Sequence, residues 1–157
     1  MTDLRLSLAG LRRHPVLLAG PAYPEVLSRL ARFFEVEVAD DAMVLDRAVL
    51  GARLAGKSAL MATRTAGIDA ALLQTLPHLK AVCKMTADHA DVDLAACSRA
   101  NVMATNTPDL GDGEPAQRQM ALAAAENVIA VFGFGRAAGH PPDLLNADLR
   151  CALGCCY

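Results

Sequence analysis

At 157 residues the chain has the length of one ordinary domain. With 54% apolar against 20% charged residues it can bury a core, which excludes a disordered chain. A net charge of −2 leaves no basic surplus for phosphates, against a nucleic-acid or anionic-membrane partner, and no apolar run is long enough to span a bilayer.

The opening TDLRLSLAGLRR reads as an N-terminal arm over residues 1–14, because Asp3 and a weak apolar run argue against a targeting segment. PVLLAGP, 15–21, is a short continuous apolar run closed by Gly-Pro and predicts a buried parallel strand. Pro24 opens a helix in which Val26, Leu27, Leu30, Phe33 and Phe34 recur at helical spacing. EVEVA, 35–39, alternates and is β-branched, and predicts a second strand. A helical period over 44–54 and a strand over 58–64 follow. Asp69 is placed to cap a short helix that Pro77 stops. A strand over 79–84, a helix over 92–101 and a strand over 102–107 complete the series. In that helix Asp93 reads as the cap and Asp91 as a charge in the first turn. Five β–α alternations with short connections predict an α/β fold. Its form is a flavodoxin-like, doubly wound, five-stranded parallel sheet with helices on both faces.

Ligands of such sheets bind beyond the carboxyl ends of the strands. The loop after strand one, GPAYP, has two prolines that remove donors, so a flavin-phosphate cradle does not fit. After strand three, Arg64 is in position to meet a bound anion. After strand four, KMTADHADVD, 84–93, offers backbone N–H groups to a carboxylate, with Asp88 at its middle. GFGRAA, 133–138, matches a dinucleotide fingerprint, but only 19 residues follow Ala138, where a βαβ unit needs about 30. The segment before it reads as a helix with Gly133 as its stop.

Cys83 and Cys97 fall within apolar segments and read as core thiols. Cys151, Cys155 and Cys156 crowd a Cys-rich tail, 150–157, read as a disordered end. His14, His78, His89 and His140 stand at no metal-ligand spacing from a cysteine pair, so no metal site is expected. The odd count of cysteines fits a reducing, cytoplasmic setting.

Three stretches together resemble one family: PVLLAGPAYPEVLSRLARFFEVEV, TAGIDAALLQTLPHLKAVCKM and VDLAACSRANVMATNTPD. They are similar to the N-terminal part of the NAD(P)-dependent D-2-hydroxyacid dehydrogenases, nearest the glyoxylate/hydroxypyruvate and 2-ketogluconate reductase branch. RQMALAAAENVIAVFGFGRAAGHPPDLLNADL resembles the far C-terminus of the same family, a returning helix with a Gly–Pro–Asn tail, here Gly139 to Asn146. The resemblance implies a whole nucleotide-binding domain between these pieces, whose place LGDGE takes. The chain then reads as a discontinuous substrate domain, main part 15–110, linker 111–114 and returning helix and tail 115–149. The excision is engineered or natural, with engineering favoured by the neatness of the joint.

What the resemblance implies for function is an isolated substrate-binding domain, not catalytic on its own. The family's catalytic arginine, glutamate and histidine, and its NAD or NADP loop, lie on the other domain, so no cofactor is expected in this chain. It implies substrate binding at Met85, Thr86, Ala87 and Asp88, with Arg64 alongside, and a hinge at Asn106, Thr107 and Pro108. Thr86 and Asp88 stand where the family has glycines, and His89 where it has tyrosine, so weak binding of a small 2-oxo or 2-hydroxy acid is expected. An exposed interdomain face implies self-association, a homodimer with exchange of the C-terminal helix being the expected form. The alternatives are a stand-alone flavodoxin-like binding or protein-interaction module, and a compact enzyme using GFGRAA.

Overall fold

The computed structural model describes residues 13–147. Residues 1–12 of the expected arm, and Cys151, Cys155 and Cys156, lie outside the described residues.

The strands are β1 (His14–Ala19), β2 (Phe34–Ala39), β3 (Ala59–Ala62), β4 (Ala81–Lys84) and β5 (Met103–Thr105). The helices are α1 (Pro24–Ala31), α2 (Arg47–Leu54), α3 (Ala70–Gln74), α4 (Leu94–Arg99) and α5 (Glu114–Val131). The sheet is all parallel in the order β2-β1-β3-β4-β5, the flavodoxin-like arrangement that the alternation predicts.

Both faces of the sheet are covered, which is why the central strands read as unbroken apolar runs. Val16, Leu18, Met61 and Cys83 point to one face, where α1 and α5 pack. Leu17, Leu60, Val82 and Ala104 point to the other, against α2, α3 and α4. Each fully buried aliphatic side chain contributes about 1.5–3 kcal/mol. On α5 the face toward the sheet is Ala121, Ala124, Ala125 and Val128, small enough for the helix to lie close over β4. The last residues then return to the edge of the sheet. Thr105 and Leu144 form an antiparallel bridge, and Leu145 N–H donates to the Ala104 carbonyl at 2.8 Å. Asn146 accepts from Ala104 N–H at 2.9 Å and donates to the Val102 carbonyl at 2.8 Å. One open edge of the sheet is thereby covered.

Local chemistry sets the boundaries. Asp69 and Asp93 cap α3 and α4, accepting from Leu72 N–H and Ala96 N–H. Gly133, at φ +83°, stops α5: its N–H donates to the Ala130 carbonyl and Phe134 N–H to that of Ile129. GFGRAA is therefore a helix end, not a strand-to-helix turn.

Three local readings are corrected. The helix from Pro24 ends at Ala31, so Phe33 lies in the turn after it and Phe34 opens β2. The period over 44–54 spans two pieces, a 3-10 turn (Met43–Leu45) and α2, because Asp46 turns extended and caps Ala48 and Val49. Asp91 is not in the first turn of α4. It lies before the helix and faces the Lys84 ammonium, and Val92 bridges Ile68 instead of opening a helix.

Candidate functional site

The carboxyl ends of β1, β3, β4 and β5 open into a cavity of about 480 Å³. Tyr23 closes it on the β1 side, Thr63 and Arg64 on the β3 side, and Met85 to Asp88 on the β4 side. Asp109 and Gly111 from the segment after β5, and Gln117 and Met120 from α5, form the far wall. All five residues expected to bind substrate, Arg64, Met85, Thr86, Ala87 and Asp88, line this one cavity.

The floor is tight. A Cβ added at Gly20, whose φ is +151°, would stand 2.8 Å from Met85 Cε and 3.4 Å from Thr63 Cγ2. Three strand ends thus meet here, and a side chain at position 20 would have to push the Met85 tip aside at a φ that favours glycine. The loop after β4 is held from both sides. Met85 N–H donates to the Ala62 carbonyl, and Asn106 Nδ2 donates to the Ala87 carbonyl at 3.0 Å. Thr107 N–H donates to the Thr86 carbonyl at 3.2 Å. Asp88 turns its carboxylate back to accept from Ala90 N–H at 2.9 Å. Among the described residues, no acceptor meets the N–H groups of Thr86, Ala87 and Asp88. Three successive unpaired donors thus line the same cavity as Arg64.

The charge of the rim opposes an anion at these donors. Among the described residues, Asp41, Asp88, Asp109 and Asp112 line the cavity against the single cation Arg64. On the β1 side, the Arg118 guanidinium stands 4.9 Å from the Tyr23 ring centroid and pairs with Glu25 and Glu114, both at 2.8 Å. Tyr23 is held by this stack.

Of the residues read as a hinge, Asn106 and Thr107 are tied to the β4 loop. Asn106 is also tied to α5, where Asn127 Nδ2 donates to its carbonyl at 3.1 Å and to Asp143 Oδ2 at 3.0 Å. Pro108 is exposed. Tyr23, Asp41, Asp109 and Gln117 were not singled out by sequence. They come from four separate segments and share no spacing; only their place beyond the strand ends joins them.

Below the loop lies a group that the sequence reading placed elsewhere. Asp91 accepts from Lys84 Nζ at 2.7 Å and from Thr65 Oγ1 at 2.8 Å. Burial works to raise its pKa, but the bonds from Lys84 and Thr65 and the lysine charge together lower it. Burial pushes the Cys83 thiol up to about 12 and the Cys97 thiol to about 11. Burial thus disfavours the reactive thiolate at both. No three His, Cys, Asp or Glu side chains gather as a metal cage among the described residues. No helix there is long and apolar enough to cross a membrane. Nor do the glycines at 133 and 135 fit a dinucleotide: they follow a helix, where a phosphate cradle follows a strand and opens a helix.

Comparison with known proteins agrees with this architecture. The family described as D-isomer specific 2-hydroxyacid dehydrogenase, catalytic domain, matches residues 16–139. The glyoxylate reductase of Aeropyrum pernix is 28% identical over an alignment of 150 positions that covers 89% of this chain and 45% of that protein. The glyoxylate reductase of Thermococcus onnurineus is 29% identical over an alignment of 133 positions that covers 78% of this chain and 40% of that protein. This chain thus spans less than half the length of these relatives. Among solved structures, the TT0316 protein of Thermus thermophilus superposes with a TM-score of 0.54 at 30% identity, over 60% of this chain and 30% of that one. The NAD+-bound 3-phosphoglycerate dehydrogenase of Entamoeba histolytica shares the fold, with a TM-score of 0.52 at 14% identity over 80% of this chain and 40% of that one.

Proposed function

This chain belongs to the D-isomer specific 2-hydroxyacid dehydrogenase family, and from that membership we propose that it is the family's substrate-binding unit, which holds the carboxylate of a small 2-oxo acid without reducing it. The observation that supports this reading most is the run of unpaired backbone donors at Thr86, Ala87 and Asp88. Its three unpaired N–H groups share a cavity with Arg64, at the strand ends where such sheets take their ligands.

The parent reaction is the reversible reduction of a 2-oxo acid to a D-2-hydroxy acid. Glyoxylate and hydroxypyruvate are the substrates in view, since curated relatives are glyoxylate reductases. Hydride transfer needs a nicotinamide held against the substrate carbonyl. The glycines of GFGRAA follow a helix and not a strand, which supports placing NAD or NADP on a nucleotide-binding unit whose position residues 111–114 take in this sequence. Asn106, Thr107 and Pro108 would be the hinge toward that unit. The aspartates around Arg64 keep affinity low and favour a monoanion over a dianion. The buried free thiols suit a cytoplasmic, reducing setting.

The test is an amide-shift titration of the full chain with glyoxylate, hydroxypyruvate and NADH in turn. Shifts over residues 85–90 with the oxo acids and none with NADH are expected. No shift with either oxo acid at high millimolar concentration would refute the carboxylate site, and shifts with NADH would refute the assignment of the cofactor elsewhere.

A further inference from the structure

Lys84 ends β4, a strand whose four residues are all buried. At 1% exposure it cannot carry its ammonium out to water. Its Nζ stands 2.9 Å from Oδ1 and 2.7 Å from Oδ2 of Asp91. Asp91 Oδ2 also accepts from Thr65 N–H at 2.9 Å and from Thr65 Oγ1 at 2.8 Å. The seam continues through the backbone: Ile68 N–H donates to the Asp91 carbonyl, and Asp93 N–H to the Ile68 carbonyl, both at 2.8 Å.

One carboxylate therefore gathers two loops. The loop after β3 carries Arg64, next in sequence to Thr65. The loop after β4 carries the three unpaired N–H groups, between Lys84 and Asp91. Packing does not require charges here, because desolvating two ions costs about as much as their attraction returns, and apolar side chains fill such a place as well. A charged pair does what an apolar pair does not: it fixes one mutual orientation through directional bonds.

We propose that Lys84 and Asp91 are a positioning pair that locks the Arg64 loop and the 86–88 loop into one register, and so sets the distance between the arginine and the N–H donors. The role rests on the carboxylate-binding reading above. Neither residue is required to touch the ligand; each acts through the loops it holds.

The experiment compares the full-length wild type with Asp91→Asn and Asp91→Glu, by amide hydrogen exchange and by glyoxylate titration. In Asp91→Asn the amides of Thr65, Ile68 and Asp93 should exchange at least tenfold faster, while those of Leu17 and Leu60 in the central sheet keep their protection. The dissociation constant for glyoxylate should rise at least tenfold, and Asp91→Glu should recover part of both effects. A purely structural role would lower the melting temperature but leave the glyoxylate affinity of the folded variant unchanged, and that result overturns the proposal. If Asp91→Asn does not fold, Thr65→Val, which spares the ion pair, carries the same two readouts at twofold to threefold size. If the wild type binds no glyoxylate, the carboxylate reading falls, and hydrogen exchange alone decides the coupling: joint release of both loops upholds it, unchanged exchange overturns it.

Discussion

Replacing Asn146 by alanine should destabilise the fold far more than its place near the end of the chain suggests. The side chain is buried and makes two bonds to the edge of the sheet, to Ala104 N–H at 2.9 Å and to the Val102 carbonyl at 2.8 Å. Each such bond contributes about 1 kcal/mol net, and leaving its buried partner unpaired raises the cost to about 1–3 kcal/mol. Ala104 and Val102 are both buried, so solvent reaches the orphaned groups only if the tail lifts away. The expected loss is about 2–4 kcal/mol, or a fall in Tm of roughly 5–15 °C for a chain of this size. Urea unfolding of wild type and Asn146→Ala measures it, with an unchanged slope showing that two-state behaviour is kept. Asn146→Asp is the sharper control: it keeps an acceptor for Ala104 N–H but sets a carboxylate against the Val102 carbonyl, and should cost at least as much as alanine. A loss below about 0.5 kcal/mol in Asn146→Ala would mean that the edge is held by the backbone bridge alone, and would refute the reasoning.

Asp88→Asn should strengthen glyoxylate binding about fivefold, since it removes about 1 kcal/mol of repulsion at roughly 5 Å under near-aqueous screening. The gain should shrink as salt is added, and equal dissociation constants at low salt would count against a ligand beside Asp88. Cys83 and Cys97 should resist alkylation at neutral pH in the folded protein and react on unfolding, because burial raises both thiols to about 12 and about 11. Peptide mapping that finds either modified within minutes under native conditions would contradict that. The Asp91 carboxyl is held below its ordinary 3.8, so its stabilising contribution is complete above that value and is lost as pH falls through the lower folded one. The stability gap between wild type and Asp91→Asn should therefore narrow from about pH 5 toward pH 2, and a constant gap would show that the pairing is not electrostatic. Self-association by exchange of α5 would have to strip the tail from β5, so Asn146→Ala should raise the dimer fraction in sedimentation at high concentration. Monomer alone for both proteins would dismiss the exchange.

The sheet was legible because its central strands are short runs buried on both faces, while β2 alternates, and helical periods separate them. Val16 to Ala19 and Ala81 to Cys83 can be little else in a chain that alternates so regularly. The caps at Asp69 and Asp93 and the stop at Gly133 were legible for a related reason, being local chemistry written within four residues. Asp91 was misread on the same grounds. An acidic residue ahead of a helix is ordinary first-turn chemistry, and nothing nearby in sequence reveals that Lys84 is sealed inside and needs a counter-ion. The position of Lys84 as the last residue of a wholly buried strand was the available signal. In the cavity, the rule that places ligands beyond strand ends pointed to Arg64 and to the loop 84–93, and the family resemblance narrowed that loop to Met85 to Asp88. Asp41, Asp109 and Gln117 were not found, because their segments approach only once the helices have packed. The split of 44–54 at Asp46 escaped because the apolar period runs unbroken through Val44, Leu50 and Leu54.

The joint between β5 and α5 also bears on how such a chain tolerates new material. Before it, Thr107 is fastened to Thr86; after it, α5 is fixed in the core and its tail clasps β5. Both flanks are thus anchored independently of Gly111, Asp112 and Gly113, which are exposed. Lengthening a flexible loop from about 6 to about 150 residues costs only about 3 kcal/mol of closure entropy, and less where the insert folds with its own ends together. These three residues are therefore a socket, where a guest protein with adjacent termini can be grafted while the host keeps its register.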